Sequence, residues 1–183
     1  RIGRAFAKAL DAKTVVVGRD ARETSPVLAN SVIEGLMDEG VQVLDLGLAG
    51  TEEMYFSTTY FEADGGIEIT ASHNPINFNG LKMVKSESRP LDPEIEFKLV
   101  KQLAEENKFG NSSTGSRKNI SLVARLAYAK KVISLVDVDG FIPLRIVVNS
   151  GNGAAGPTFD IIDKLLRKKN INLMFERILH SPD

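Results

Sequence analysis

Short β-branched runs and longer amphipathic stretches alternate along the first hundred residues of this chain, with few residues between them. The run TVVVG (14–18) is stopped by glycine and reads as a buried strand. Before it, RIGRAFAKAL sets Ile2, Phe6, Ala9 and Leu10 on one helical face. Ser25-Pro26 reads as an N-cap followed by proline at the first helical position, where a missing N–H is no loss. Leu28, Val32 and Leu36 turn inward from that helix, which is expected to end near Gly40 as a left-handed cap. VQVLDL (41–46) is the next strand, and Thr51 caps a helix through Tyr60. GGIEITA (65–71) and LKMV (81–84) read as strands, and Asp92-Pro93 opens a helix to about Asn107. Such an order is too regular for a helical bundle and too helical for a sandwich; it predicts a layered α/β sheet.

NKFGNSSTGSRKN (107–119) breaks the pattern with serine, asparagine and glycine, and reads as an exposed linker. After it come a helix (120–136), the strand LRIVVNS, a glycine-rich turn, a helix at about 158–169 and the strand NLMFERI. The expected division is a first α/β domain with linker over 1–118 and the first part of a second over 119–183. The chain starts at Arg1 inside an amphipathic pattern and stops at LHSPD, so it reads as a fragment.

With no cysteine, disulfides, thiolate catalysis and cysteine-ligated zinc are excluded. A formal net charge of −1 gives no reason to expect a nucleic-acid partner or an anionic membrane surface, and no apolar run approaches bilayer length. The cytoplasm is the expected compartment.

Two motifs could carry chemistry. In TASHNPINFNGLK (70–82), Ser72 falls just beyond a predicted strand, where open α/β sheets place ligands. Pro75 restricts Asn74 to extended or turn conformations, and Asn79-Gly80 supplies a second turn that brings Lys82 back towards Ser72. A serine hydroxyl is a weak nucleophile until a base, a cation or a metal helps it, and His73 and Lys82 could do so. No carboxylate lies within 70–82 to orient the histidine, so a hydrolase triad is not evident there. By spacing alone, an inert turn fits these residues at least as well.

In NSGNGAAGP (149–157), Gly151, Gly153 and Gly156 fit the G-x-G-x-x-G of dinucleotide sites, with Glu176 about twenty residues on. Close packing of a strand-to-helix turn selects the same glycines. His180 reads as a surface histidine. Asp137 and Asp139 start like a calcium loop, but FIPLR fills the remaining ligand positions. Asp20 and Arg22 in GRDARETS could touch an anion; an ion pair shaping the loop is the simpler reading.

GRDAR, AGTEEMYF, DGGIEITASHNPINFNGLKMV and VVNSGNGAAGP lie in an order that resembles the α-D-phosphohexomutases, particularly their bacterial phosphomannomutase branch in GDP-mannose synthesis. The resemblance spans nearly the whole chain. It implies three-layer α/β/α domains with mixed sheets, the second incomplete. It also implies that Ser72 is phosphorylated in the resting enzyme and that its phosphate contacts Mg²⁺. His73 and Lys82 would stand beside the transferring phosphate, and Asn74 would shape the loop. The implied reaction interconverts mannose 6-phosphate and mannose 1-phosphate, with a hexose 1,6-bisphosphate as intermediate and activator. Under this reading GNGAAG is a packing turn, so no cofactor-binding residue is assigned. The family's other metal ligands and its sugar-reading and phosphate-binding domains find no match here, so these residues alone are expected to lack mutase activity. Phosphoglucomutase and phosphoglucosamine mutase are the alternatives within the family, and a non-catalytic dinucleotide- or phosphosugar-binding module the alternative outside it.

Overall fold

A computed structural model describes residues 1–171 and 173–183. The chain divides into two compact units, Arg1–Ser121 and Leu122–Asp183. In the first, α1 (Ile2–Leu10), β1 (Thr14–Arg19), α2 (Ser25–Met37), β2 (Gln42–Leu48), α3 (Thr51–Tyr60) and β3 (Gly65–Ile69) follow in turn. They are succeeded by β4 (Leu81–Lys85), β5 (Arg89–Pro90), α4 (Glu96–Glu106) and β6 (Ser116–Asn119). The sheet is six-stranded in the order β5-β4-β3-β1-β2-β6. Strands β3, β1, β2 and β6 pair in parallel, while β4 and β5 are antiparallel, so the sheet is mixed.

Neighbouring residues of a strand face opposite layers. Phe6 of α1 lies against Gly65, whereas Met54 and Thr58 of α3 lie against Gly66. Val15, Val17, Ile67 and Ile69 bury themselves with Phe6, Val32, Leu36 and Val100 on the first face. Each such side chain contributes about 1.5–3 kcal/mol on leaving water. On the second face, opposite α3, β3 carries Glu68, in register with Gly18 of β1 and Lys82 of β4.

Several boundaries differ from the sequence expectation, each for a local reason. The expected linker contains β6, whose residues SRKN are all exposed and carry no apolar signal. Polar bonds hold it: it pairs with β2, and Arg117 donates through Nε and Nη2 to Asp45 at 2.9 and 2.7 Å. Charged residues on an edge strand also discourage pairing with other chains. Thr24, not Ser25, occupies the N-cap position of helix α2, without a side-chain capping bond; the Ser25 hydroxyl donates instead to Asp20 at 2.5 Å. Asp92 Oδ1 accepts from the N–H of Glu94 and of Ile95, making a turn that delays α4 until Glu96; Asn107, in the left-handed region at φ 52°, ends it.

In the second unit, α5 (Ser121–Ser134, beginning on the last residue of the first unit), β7 (Leu144–Asn149), α6 (Ala155–Lys168) and β8 (Leu173–Ile178) follow. Strands β7 and β8 are parallel, over a core of Ile133, Val138, Leu166 and Leu173. Helix α6 begins three residues earlier than expected, at Ala155, because Pro157 is tolerated in a first turn whose N–H groups have no intrahelical acceptor. Asn172, the expected start of the last strand, lies outside the described residues. Among the described residues no helix is long and apolar enough to cross a membrane.

Candidate active site

β3 ends at Ile69, and the chain leaves the sheet in a loop closed by Thr70 N–H donating to the carbonyl of Gly80 at 3.0 Å. Within it, Ser72 N–H donates to Thr70 Oγ1 at 2.9 Å, folding the backbone so that Ser72 takes φ 56°. Two further turns follow, Asn74 N–H to Ala71 carbonyl and Phe78 N–H to Pro75 carbonyl. All residues from 72 to 78 are exposed, and the Ser72 hydroxyl stands at the carboxyl end of β3.

What keeps an exposed loop of this length in one shape is Arg22. Its guanidinium, 8% exposed, donates to the carbonyls of Ser72 (2.9 Å), Asn74 (2.7 Å), Pro75 (2.7 Å) and Phe78 (3.0 Å). Its Nε is held by Asp20 at 3.1 Å, and Asp20 is fixed in turn by Ser25. The planar fork of arginine suits this task, since it presents several donors in a fixed geometry that lysine lacks. Asn79 adds a second anchor: its Nδ2 donates to Thr24 Oγ1 and Ser25 Oγ at 2.9 Å, and its Oδ1 accepts from Gly80 N–H. The loop after β1 therefore positions the loop after β3.

Ser72 Oγ and His73 Nδ1 lie 3.4 Å apart, both on the exposed loop. Lys82 is placed differently from these two. Its ammonium, half-buried on the α3 face of the sheet, donates to Thr51 Oγ1 at 3.4 Å, beside the first turn of α3. Opposite Lys82 in the register is Glu68, 1% exposed, with neither carboxyl oxygen in a hydrogen bond. Burial pushes its pKa up to about 9, and Asp20, Glu53 and Glu52 add to the shift while Lys82 opposes it.

Arg22 was legible only as a loop-shaping ion pair, and Glu68 was absorbed into a strand pattern. The available signal was a glutamate inside an otherwise apolar strand, GGIEI.

In the second motif, close packing holds Gly156 but neither Gly151 nor Gly153. A side chain at Gly156 would overlap the carbonyl oxygen of His180, and Gly151 sits at φ 56°. Glu176 pairs with Arg145 at 3.1 Å. His180 is not a free surface residue: its Nε2 meets Asp160 Oδ1 at 3.0 Å and its Nδ1 lies 3.3 Å from Ser150 Oγ. Asp137 accepts the N–H of Asp139 in a local turn.

Comparison with known proteins identifies the family. The family model for phosphoglucomutase/phosphomannomutase, alpha/beta/alpha domain I, matches residues 1–109. A phosphomannomutase of Salmonella montevideo is 44% identical over the whole chain, which covers 40% of that protein. One of Escherichia coli is 42% identical, with 41% of its length covered. A phosphoglucomutase/phosphomannomutase family protein of Burkholderia thailandensis, solved by crystallography, superposes on the whole chain with a TM-score of 0.82 at 27% identity, over 40% of its own length. The chain thus spans about 40% of the length of such relatives. Matched through its first domain by the family model and along its whole length by these relatives, the chain belongs to the phosphoglucomutase/phosphomannomutase family.

Proposed function

We propose that the protein carrying this chain is a phosphomannomutase in which Ser72 holds the phosphoryl group between half-reactions. The observation that carries this reading is the Ser72 loop, exposed yet locked by the carbonyl bonds of Arg22. Relatives that carry the name phosphomannomutase support the choice of sugar.

Starting from mannose 1-phosphate, the 6-hydroxyl oxygen attacks phosphorus on Ser72. The Ser72 Oγ–P bond breaks, the sugar hydroxyl gives up its proton and Ser72 Oγ takes one up. In the second half, Ser72 Oγ attacks the phosphorus at O1 of the 1,6-bisphosphate and loses its proton, while O1 gains one and mannose 6-phosphate leaves. Protons and phosphoryl groups balance over the cycle. In this scheme His73 moves the proton at Ser72 Oγ, a role supported by its Nδ1 lying 3.4 Å from that atom. Lys82 offsets the charge of the transferring group, a task that swinging from Thr51 would allow. Such a reaction depends mainly on positioning and electrostatics.

Among the described residues no group of three acidic or imidazole side chains is arranged to hold a metal. A phosphorylated Ser72 nonetheless offers the hard oxygen donors that Mg²⁺ takes from substrate phosphates. Bound there, Mg²⁺ would disperse the negative charge of the transferring group.

Phosphopeptide mass spectrometry on the full-length protein after incubation with mannose 1,6-bisphosphate tests the assignment: phosphate is expected on Ser72, and phosphate on another residue alone overturns it. A second reading, phosphoglucomutase, is equally compatible with the family model, whose description covers both sugars. Comparing kcat/KM for mannose 1-phosphate and glucose 1-phosphate separates the two.

A further inference from the structure

The catalytic scheme gives no task to the buried carboxyl of Glu68. Glu68 is 1% exposed, and both of its carboxyl oxygens lack a hydrogen-bond partner. A buried polar group in that condition costs about 1–3 kcal/mol, and native structures rarely hold one without a reason. The surrounding backbone makes room for it. Gly18, its register partner on β1, has no side chain, and a Cβ there would overlap Glu68 Oε2.

The groups around it come from each neighbouring element. Lys82 is its register partner on β4. Asp20 follows β1, two residues beyond Gly18, and Glu52 and Glu53 stand in the first turn of α3. Three of these four are acidic and oppose ionisation of Glu68, while the lysine favours it. Held as the neutral acid, Glu68 makes no ion pair with Lys82, whose ammonium instead rests on Thr51 Oγ1 by a long bond of 3.4 Å. An ammonium so weakly held is easily redirected. If Glu68 ionised, the cross-strand neighbour would become a buried counter-charge, and such a pair in a low dielectric binds far more strongly than a hydroxyl contact.

We propose that Glu68 is a positioning residue for Lys82: while it keeps its proton it leaves the ammonium free to turn to the phosphoryl group on Ser72, and when it loses the proton it draws Lys82 into the sheet. The proposal rests on the phosphoserine reading above and adds the gating of its cation. In this step the carboxyl O–H bond breaks and its proton passes to water; no other covalent bond changes.

The test uses the full-length protein. Carboxyl ¹³C NMR of glutamate-labelled wild type, with Glu68→Gln to assign the resonance, follows the Glu68 titration directly. The kcat/KM for mannose 1-phosphate is measured in parallel across the same pH range. Glutamine keeps the neutral form at every pH, so the ratio of variant to wild-type kcat/KM is expected to rise about fourfold between about pH 7 and about pH 9.5. Glu68→Met, apolar and of similar size, is expected to show the same rise and stands in should the glutamine variant fold poorly. A ratio that is flat with pH, or a Glu68 resonance already ionised at pH 7, overturns the proposal. A wild type that acquires no phosphate on Ser72 removes the functional reading and this one with it. Phosphate on Ser72 with a flat ratio removes this one alone.

Discussion

The guanidinium of Arg22 donates to the carbonyl of Ser72 at 2.9 Å, so a side chain on the loop after β1 sets the backbone of the residue proposed to carry phosphate. The same group reaches three more carbonyls of that loop, and truncating it would leave them and Asp20 without their common partner. Arg22→Ala is expected to lower stability by about 3 kcal/mol, because it removes the charged partner of Asp20 and the shared donor of four loop carbonyls. Loss of loop geometry is expected to lower kcat by about a hundredfold. Arg22→Lys keeps the charge without the fork and should recover most of the stability but little of the rate. Urea unfolding and steady-state kinetics of the full-length protein check both statements.

Ser72 sits in the left-handed region, which serine adopts at some cost. Ser72→Gly is expected to abolish phosphorylation while gaining up to about 1 kcal/mol of stability, and Ser72→Ala to abolish it with no such gain. Phosphopeptide mass spectrometry and thermal unfolding read the two effects separately.

Stability should depend on pH through Glu68. In the native state it keeps its proton up to about 9, whereas unfolded it ionises near the ordinary 4.5. Between those values the unfolded state binds fewer protons, so the wild type loses stability as pH rises, by up to about 1.4 kcal/mol per pH unit. Below the window the effect is absent and above it the loss is complete. Glu68→Gln escapes it. Urea unfolding of both proteins at a series of pH values should show the variant's advantage widening from about pH 5 to about pH 9.

Gly156 distinguishes packing from nucleotide binding. Gly156→Ala would drive a methyl group into the His180 carbonyl and is expected to destabilise the protein by about 1–3 kcal/mol. Calorimetric titration of the wild type with NAD should give no binding heat; clear binding, abolished by Gly153→Val, would restore the dinucleotide reading.

The alternation of strands and helices in the first unit was legible because β1, β2 and β3 are buried and write their burial as apolar residues. Strand β6 was not, since its hold on the sheet is a backbone ladder and an arginine on Asp45, neither of which has a period in sequence. Ser72 and His73 stood out because a compact loop carries them together. Arg22 could not, because the residues it organises begin fifty positions later and it binds their carbonyls, which every residue possesses. Glu68 was hidden by its neighbours: Ile67 and Ile69 announce a buried strand, and the charged residue between them takes its meaning from Gly18 and Lys82, which only the register brings alongside.

The left-handed twist at position 72 also limits which alcohols could replace the one found there. Threonine carries an equally phosphorylatable oxygen, yet its second branch at Cβ makes it a poor tenant of that backbone region. A chemically conservative swap would therefore fail on shape, and the identity of the proposed nucleophile is dictated by the bend beneath it as much as by the reaction proposed above it.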